Sequence, residues 1–184
     1  MALIEITEQT HGVLLDIKYA TTDNFTQNPV YAKPHCYLHQ EAEALLREAI
    51  DIAATLGYRF RIFDAFRPSE AQWKLWNHTP DPEFLADPRR GSPHSRGAAI
   101  DLTLVDENGM DLDMGTGFDA FTPLSHHGNR EISVEAQKNR ILLMGIMTTA
   151  GWDFFRNEWW HYQLFNARRL PTFSDTALPE SMMG

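Results

Sequence analysis

From Ala42 the apolar positions Ala42, Leu45, Leu46, Ala49, Ala53 and Leu56 recur at helical spacing, and Gly57 stands where a left-handed residue closes a helix. The next run, YRFRIFDAF, changes to a period of two around Phe60 and Ile62 and predicts a half-buried strand ending at Arg67-Pro68. Ser69, with Gln72 three residues later, reads as a capping box that opens a short helix through about Asn77. A loop rich in Pro and Asp then runs to Gly91. In AAIDLTLVD, Ile100, Leu102 and Leu104 fall on one face of a strand and Asp101 and Thr103 on the other, with a turn at Glu107-Asn108-Gly109. Ser133 to Ala150 predicts a second long helix closed by Gly151, and WDFF with WWHYQLF predicts a final hairpin of aromatic-rich strands. Helices and antiparallel strands in this order predict an α+β fold, a central antiparallel sheet with flanking helices, in a single domain over residues 1–184. The segment after Arg169 reads as a loosely ordered tail.

A chain of 184 residues is long enough for one domain with its own core. With 43% apolar and 22% charged residues it is neither a disordered nor a fibrous sequence. The single cysteine, Cys36, excludes an intrachain disulfide, so any metal site must be built from His and carboxylate. A net charge of -9 without a basic run argues against nucleic acid as a partner. No stretch approaches the roughly 18 consecutive apolar residues of a membrane span. The N-terminal MALIEITEQTHGVLLDIKYA has no basic region, long apolar core or cleavage site of a leader, which predicts a cytoplasmic protein. The sequence leaves the oligomeric state open, a homo-oligomer included.

Two segments contain residues that a fold alone seldom demands. In SPHSRGAAID, His94 sits in a loop flanked by Ser, Pro and Gly, and a turn at Arg96-Gly97 brings it towards Asp101 on the strand that follows. The second segment is EWWH, from Glu158 to His161. Two His and one carboxylate make a three-ligand set that leaves the fourth position of a tetrahedral zinc open, as a catalytic site requires. The remaining Glu158 is then free to act as a base. Residues three apart face opposite ways on a straight strand, so Glu158 must lie in the turn before the strand to share a side with His161. No H-E-x-x-H helix occurs.

The pattern S-x-H-x-x-G-x-x-x-D followed by E-x-x-H resembles the zinc D-alanyl-D-alanine peptidases that share a fold with the hedgehog signalling domain. KYATTDNFT from Lys18, FDAFRP from Phe63, DMGTGFD from Asp113 and SHH from Ser125 are similar to the dipeptidase branch, the vancomycin-resistance X-type D-Ala-D-Ala dipeptidases. The motifs occur in order from Val13 to Gln163, a core of about residues 13–165. The resemblance implies one zinc per chain on His94, Asp101 and His161, with Glu158 as catalytic base and Arg67 stabilising the transition state. It further implies that Tyr19, Ser92 and Asp119 line a dipeptide pocket, Asp119 receiving the substrate ammonium, and that Asp64 supports Arg67. The loop from Asn77 to Gly91 reads as shorter than in that family.

Each residue also has a plainer reading. His94 alone is a turn residue, Arg67 a surface ion-pair partner of Asp64, and Asp119 an Asx turn. His126 and His127 lack a third ligand at sensible spacing and read as structural hydrogen-bonding groups, while Trp159 and Trp160 read as core and pocket wall. His11, His35, His39 and His78 have no evident partner. Two functional rivals share the zinc motifs: a murein peptidase that trims stem peptides, and a catalytically silent binding domain.

Overall fold

The computed structural model describes residues 3–184; Met1 and Ala2, the first two residues of the segment read for a leader, lie outside the described residues. The element order is β1 (Leu3–Glu5), α1 (Glu8–His11), β2 (Leu14–Leu15), β3 (Tyr37–His39), α2 (Gln40–Thr55), β4 (Arg59–Asp64), α3 (Ser69–His78), β5 (Ala99–Val105), α4 (Val134–Thr149), β6 (Asp153–Phe154) and β7 (His161–Gln163). Helical periodicity is realised in α2, which buries Ala42, Leu46, Ala49 and Ala53 along one stripe. Ser133 caps α4, its hydroxyl accepting from the Ala136 amide. The two long helices pack on each other, with α2 also against β4 and α4 against β6. The core beside them holds Phe60, Ile62, Trp152 and Tyr162, Phe60 and Ile62 each contributing on the order of 1.5–3 kcal/mol by leaving water. No helix among the described residues is long and apolar enough to cross a membrane.

Five strands form the central sheet in the order β2-β4-β5-β7-β6, and β1 pairs with β3 in a separate antiparallel ribbon. The domain is α+β as expected, but its sheet is mixed. The β4, β5, β7 and β6 neighbours are antiparallel, whereas β2 runs parallel to β4. That parallel pair needs a long crossover, which β3 and α2 supply. Register decides where the chemistry lies. Asp64 on β4 pairs with Asp101 on β5, and Asp101 with His161 on β7, so three polar side chains form a row across three strands. A register shift between Ile62 and Asp64 re-aims the end of β4 into that row.

Three further expectations are corrected. The strand expected to reach Arg67-Pro68 ends at Asp64; the chain leaves the sheet there, the Phe66 amide donating to the Tyr37 carbonyl and the Arg67 amide to the His94 carbonyl. Ser69 and Gln72 form no capping box: Pro68 holds the N-cap position, the Ser69 hydroxyl donates to the Phe173 carbonyl, and the Gln72 amide bonds Arg67 and the Ala86 carbonyl. Their side chains are used for tertiary contacts. The segment after Arg169 is pinned to the domain, with Phe173 bonded to Ser95, Met182 to Ala32, and the Met182 side chain fully buried.

Gly97 closes the turn that carries His94. Its φ is 64°, and a Cβ there would lie 2.6 Å from Leu3 Cδ2 and 2.8 Å from the His39 backbone nitrogen. Left-handed geometry costs an L-residue roughly 1–2 kcal/mol before any clash. Gly97→Ala is therefore expected to lower the melting temperature by at least about 2 °C; an unchanged value would show that the turn relaxes freely.

Candidate active site

His94 lies in the 3₁₀ turn His94–Arg96, immediately before β5. Its Nδ1 is 2.7 Å from the Ala65 carbonyl, which only accepts, so Nδ1 carries the proton and Nε2 presents a lone pair. On β7, His161 Nε2 is 3.0 Å from Gln163 Oε1, which leaves its Nδ1 as the free nitrogen. The two free nitrogens are 3.1 Å apart. Asp101 Oδ1 is 3.0 Å from His161 Nδ1 and Oδ2 is 3.3 Å from His94 Nε2. Two imidazole lone pairs and a carboxylate thus converge in a buried space, their ligand atoms all within 4.8 Å of one another. Without a cation between them these atoms repel, and the N, N, O donor set fits a metal ion. Burial would raise the Asp101 carboxyl, but positive charge on the facing His94 and His161 imidazoles, a role that a bound metal ion would take over, holds it well below the usual carboxylate range. Among the described residues no second such group converges, His126 and His127 included.

Arg67 is held beside this group by three neighbours. Its Nε donates to Asp64 Oδ2 at 2.9 Å and its Nη1 to Gln72 Oε1 at 2.9 Å, while the Tyr19 ring lies 5.0 Å from its guanidinium carbon. The Tyr31 hydroxyl donates to Asp64 Oδ1 at 2.8 Å, so Asp64 is fixed from both sides. Burial opposes the Arg67 charge, but Asp64 and its acidic surroundings raise its pKa. The Tyr19 hydroxyl in turn donates to Asp119 Oδ2 at 2.7 Å. Asp119 has a φ of 57°, unusual for a residue with a side chain. Burial pushes its carboxyl up to about 8, with the Tyr19 bond acting the other way.

Glu158 lies in the turn between β6 and β7, and its Oε2 is 3.8 Å from His161 Nδ1. Burial pushes this carboxyl up to about 8 against the attraction of His161. Tyr19, Arg67, Ser92, His94, Asp101, Asp119, Glu158 and His161 all line one cavity of about 540 Å³. Asp64 braces Arg67 from outside that lining. Ser92 also accepts the His94 amide on its Oγ at 3.2 Å. The loop after α3 forms the outer wall through Pro82 to Asp87 and Arg90 to Pro93, and Trp160 forms part of the lining.

Three supporting residues were not identified from sequence: Gln163, Gln72 and Tyr31. Only Gln163 had a signal, since it follows His161 by two residues and shares its strand face. Of the histidines without an assigned role, His39 caps α2, His11 contacts Glu43, and His35 sits between Glu5 and Glu180. All three are away from the cavity.

The profile of the D-ala-D-ala dipeptidase family matches residues 1–179. The chain is 44% identical over 161 residues to the D-alanyl-D-alanine dipeptidase of Escherichia coli (strain K12), covering 88% of this chain and 83% of that protein. It is 35% identical over 192 residues to the D-alanyl-D-alanine dipeptidase of Enterococcus faecalis, covering 93% and 95%. A solved LD-carboxypeptidase superposes with a TM-score of 0.44 at 18% identity, over 72% of this chain and 62% of that one. A family match over nearly the whole sequence, with two relatives that align along most of their own length, places this peptidase: the chain belongs to the D-ala-D-ala dipeptidase family.

Proposed function

We propose that this protein is a zinc-dependent dipeptidase that hydrolyses free D-Ala-D-Ala to two molecules of D-alanine. The observation that carries the reading is the convergence of His94 Nε2, Asp101 and His161 Nδ1 on one point of a cavity that also contains Glu158, Arg67 and Asp119. His94, Asp101 and His161 would hold the ion. When bound, zinc supplies a Lewis acid and makes water a stronger acid at neutral pH.

The chain's own residues supply the remaining functions. Asp119 pairs with the substrate ammonium, and Tyr19, bonded to it, orients that carboxylate. Ser92 holds the backbone of His94 and borders the same space. Glu158 takes a proton from the attacking water on a carboxylate oxygen and returns it to the leaving amine, so one water is consumed for each peptide bond cut. Arg67, whose position is fixed by Asp64 and Gln72, donates to the oxyanion as charge develops on the carbonyl oxygen. A preorganised donor of this kind commonly contributes about 2.7–4 kcal/mol to transition-state stabilisation.

Metal analysis of the purified protein tests the site. The wild type is expected to contain one zinc per chain, and His94→Ala and His161→Ala to contain almost none, since neither leaves a complete three-ligand set. Normal zinc in either variant removes that residue from the site. Wild-type protein that releases no D-alanine from the free dipeptide would overturn the assigned reaction.

A further inference from the structure

The segment Ser125-His126-His127 is outside the chemistry described so far, yet it lies between the two halves of the site. Ser125 is fully buried in the 3₁₀ turn Pro123–Ser125. Its hydroxyl has one hydrogen to give. The Ala120 carbonyl, 2.6 Å away, can only accept, so that hydrogen is directed there. Thr116 Oγ1, 2.9 Å from Ser125 Oγ, must then be a donor to Ser125, while it accepts from Trp159 Nε1 at 2.9 Å. The result is a one-way chain from the Trp159 indole through Thr116 and Ser125 to Ala120. It starts at the residue after Glu158 and ends at the residue after Asp119.

Backbone bonds reinforce the same junction. The Trp159 amide donates to the Ser125 carbonyl at 3.1 Å and the His127 amide to the Arg156 carbonyl at 2.9 Å, so the Glu158 turn is clasped on both sides. Arg140 on α4 fixes the strap itself, donating to the carbonyls of Met114, Leu124 and His126 at 2.7, 2.9 and 3.1 Å. The left-handed backbone at Asp119 persists only where its surroundings hold it, and the bond to the Ala120 carbonyl is one such constraint.

We propose that Ser125 is a positioning residue of the hydrolysis, fixing the separation of the Asp119 and Glu158 carboxyl groups through the Thr116–Ser125–Ala120 chain. The proposal rests on the reading of Asp119 as ammonium partner and Glu158 as base. In a free dipeptide the ammonium and the scissile carbonyl belong to the same residue and are separated by a single Cα, so the position of the ammonium largely fixes that of the carbonyl. Once Asp119 has taken the ammonium, the strap determines where the carbonyl meets the base. A displacement on the order of 1 Å at such a centre can cost about 100-fold in rate.

Steady-state kinetics on D-Ala-D-Ala with Ser125→Ala, Thr116→Val and Thr116→Ser, read beside zinc content and melting temperature, tests this. Thr116→Val keeps the shape and removes only the hydroxyl, so it serves if Ser125→Ala folds poorly. Both are expected to lower kcat by about tenfold or more, with KM changed much less and zinc retained. The double variant should be little worse than the worse single one, because both break one chain. Thr116→Ser, which keeps the hydroxyl, should recover most of the rate. Values of kcat within about twofold of wild type in both, a change confined to KM, or a loss that only follows melting temperature would overturn the proposal. A wild type inactive on the dipeptide sinks the assigned reaction and this proposal together, whereas an active wild type with unaffected variants sinks this proposal alone.

Discussion

Glu158→Ala is expected to keep its zinc and its fold and to lose turnover by about three orders of magnitude, the middle of the range for a positioned proton acceptor. The side chain is outside the converging donor set, and removing it leaves both imidazoles and Asp101 in place. Its Oε2 is 3.8 Å from His161 Nδ1, close enough to act on a water in the same cavity. Stability should not suffer, because burial already penalises the ionised form of this carboxyl. An unchanged or raised melting temperature with lost activity is the signature of a residue retained for chemistry against stability. Glu158→Gln, nearly isosteric, should be as inactive as the alanine variant, since an amide does not accept the proton. Loss of zinc from Glu158→Ala, equal to that from His161→Ala, would make Glu158 a ligand and remove the base from the mechanism.

What the sequence revealed of this site follows from which distances are local. His94 and Asp101 are seven residues apart across a turn that Gly97 marks, and the alternation of β5 places Asp101 on the face opposite Ile100. The position of Glu158 in a turn followed from the conflict between a three-residue spacing and a strand, and a turn is where it lies. The pairing of Asp101 with His161 depends on sheet register, a long-range property that no local pattern records. The same holds for Tyr19 and Asp119, which meet across a hundred residues and were connected only by resemblance. Periodicity gave both long helices because their buried stripes and closing glycines are local signals. It failed at Ser69 and Gln72, where the residues of a cap were used for tertiary bonds instead. The parallel β2–β4 pair was hidden for a similar reason, since a two-residue strand carries almost no pattern.

Free D-Ala-D-Ala is expected to be cleaved more than two orders of magnitude faster, in kcat/KM, than N-acetyl-D-Ala-D-Ala or tripeptides ending in the same pair. Asp119 accounts for the difference. Its carboxyl is bonded to Tyr19 and pushed up to about 8 by burial, so an ammonium arriving beside it favours the ionised form and gains an ion pair with little competition from water. An acyl group on that nitrogen removes the positive charge and adds bulk at the same place. The blocked substrate meets either a carboxylate stripped of its partner or a neutral carboxyl, and makes no ion pair in either case. Breaking a buried pair typically costs about 3 to 5 kcal/mol, which corresponds to more than about 100-fold in specificity. Asp119→Ala should narrow the gap between free and blocked substrates by losing the free dipeptide rather than by gaining the blocked one, with zinc content unchanged because Asp119 is not among the converging ligands. Competition between the two substrates in one reaction, followed by release of D-alanine, measures the ratio directly. Cleavage of the blocked dipeptide within about tenfold of the free one would mean that the amino end is open, and the site would then be that of a carboxypeptidase acting on longer stem peptides.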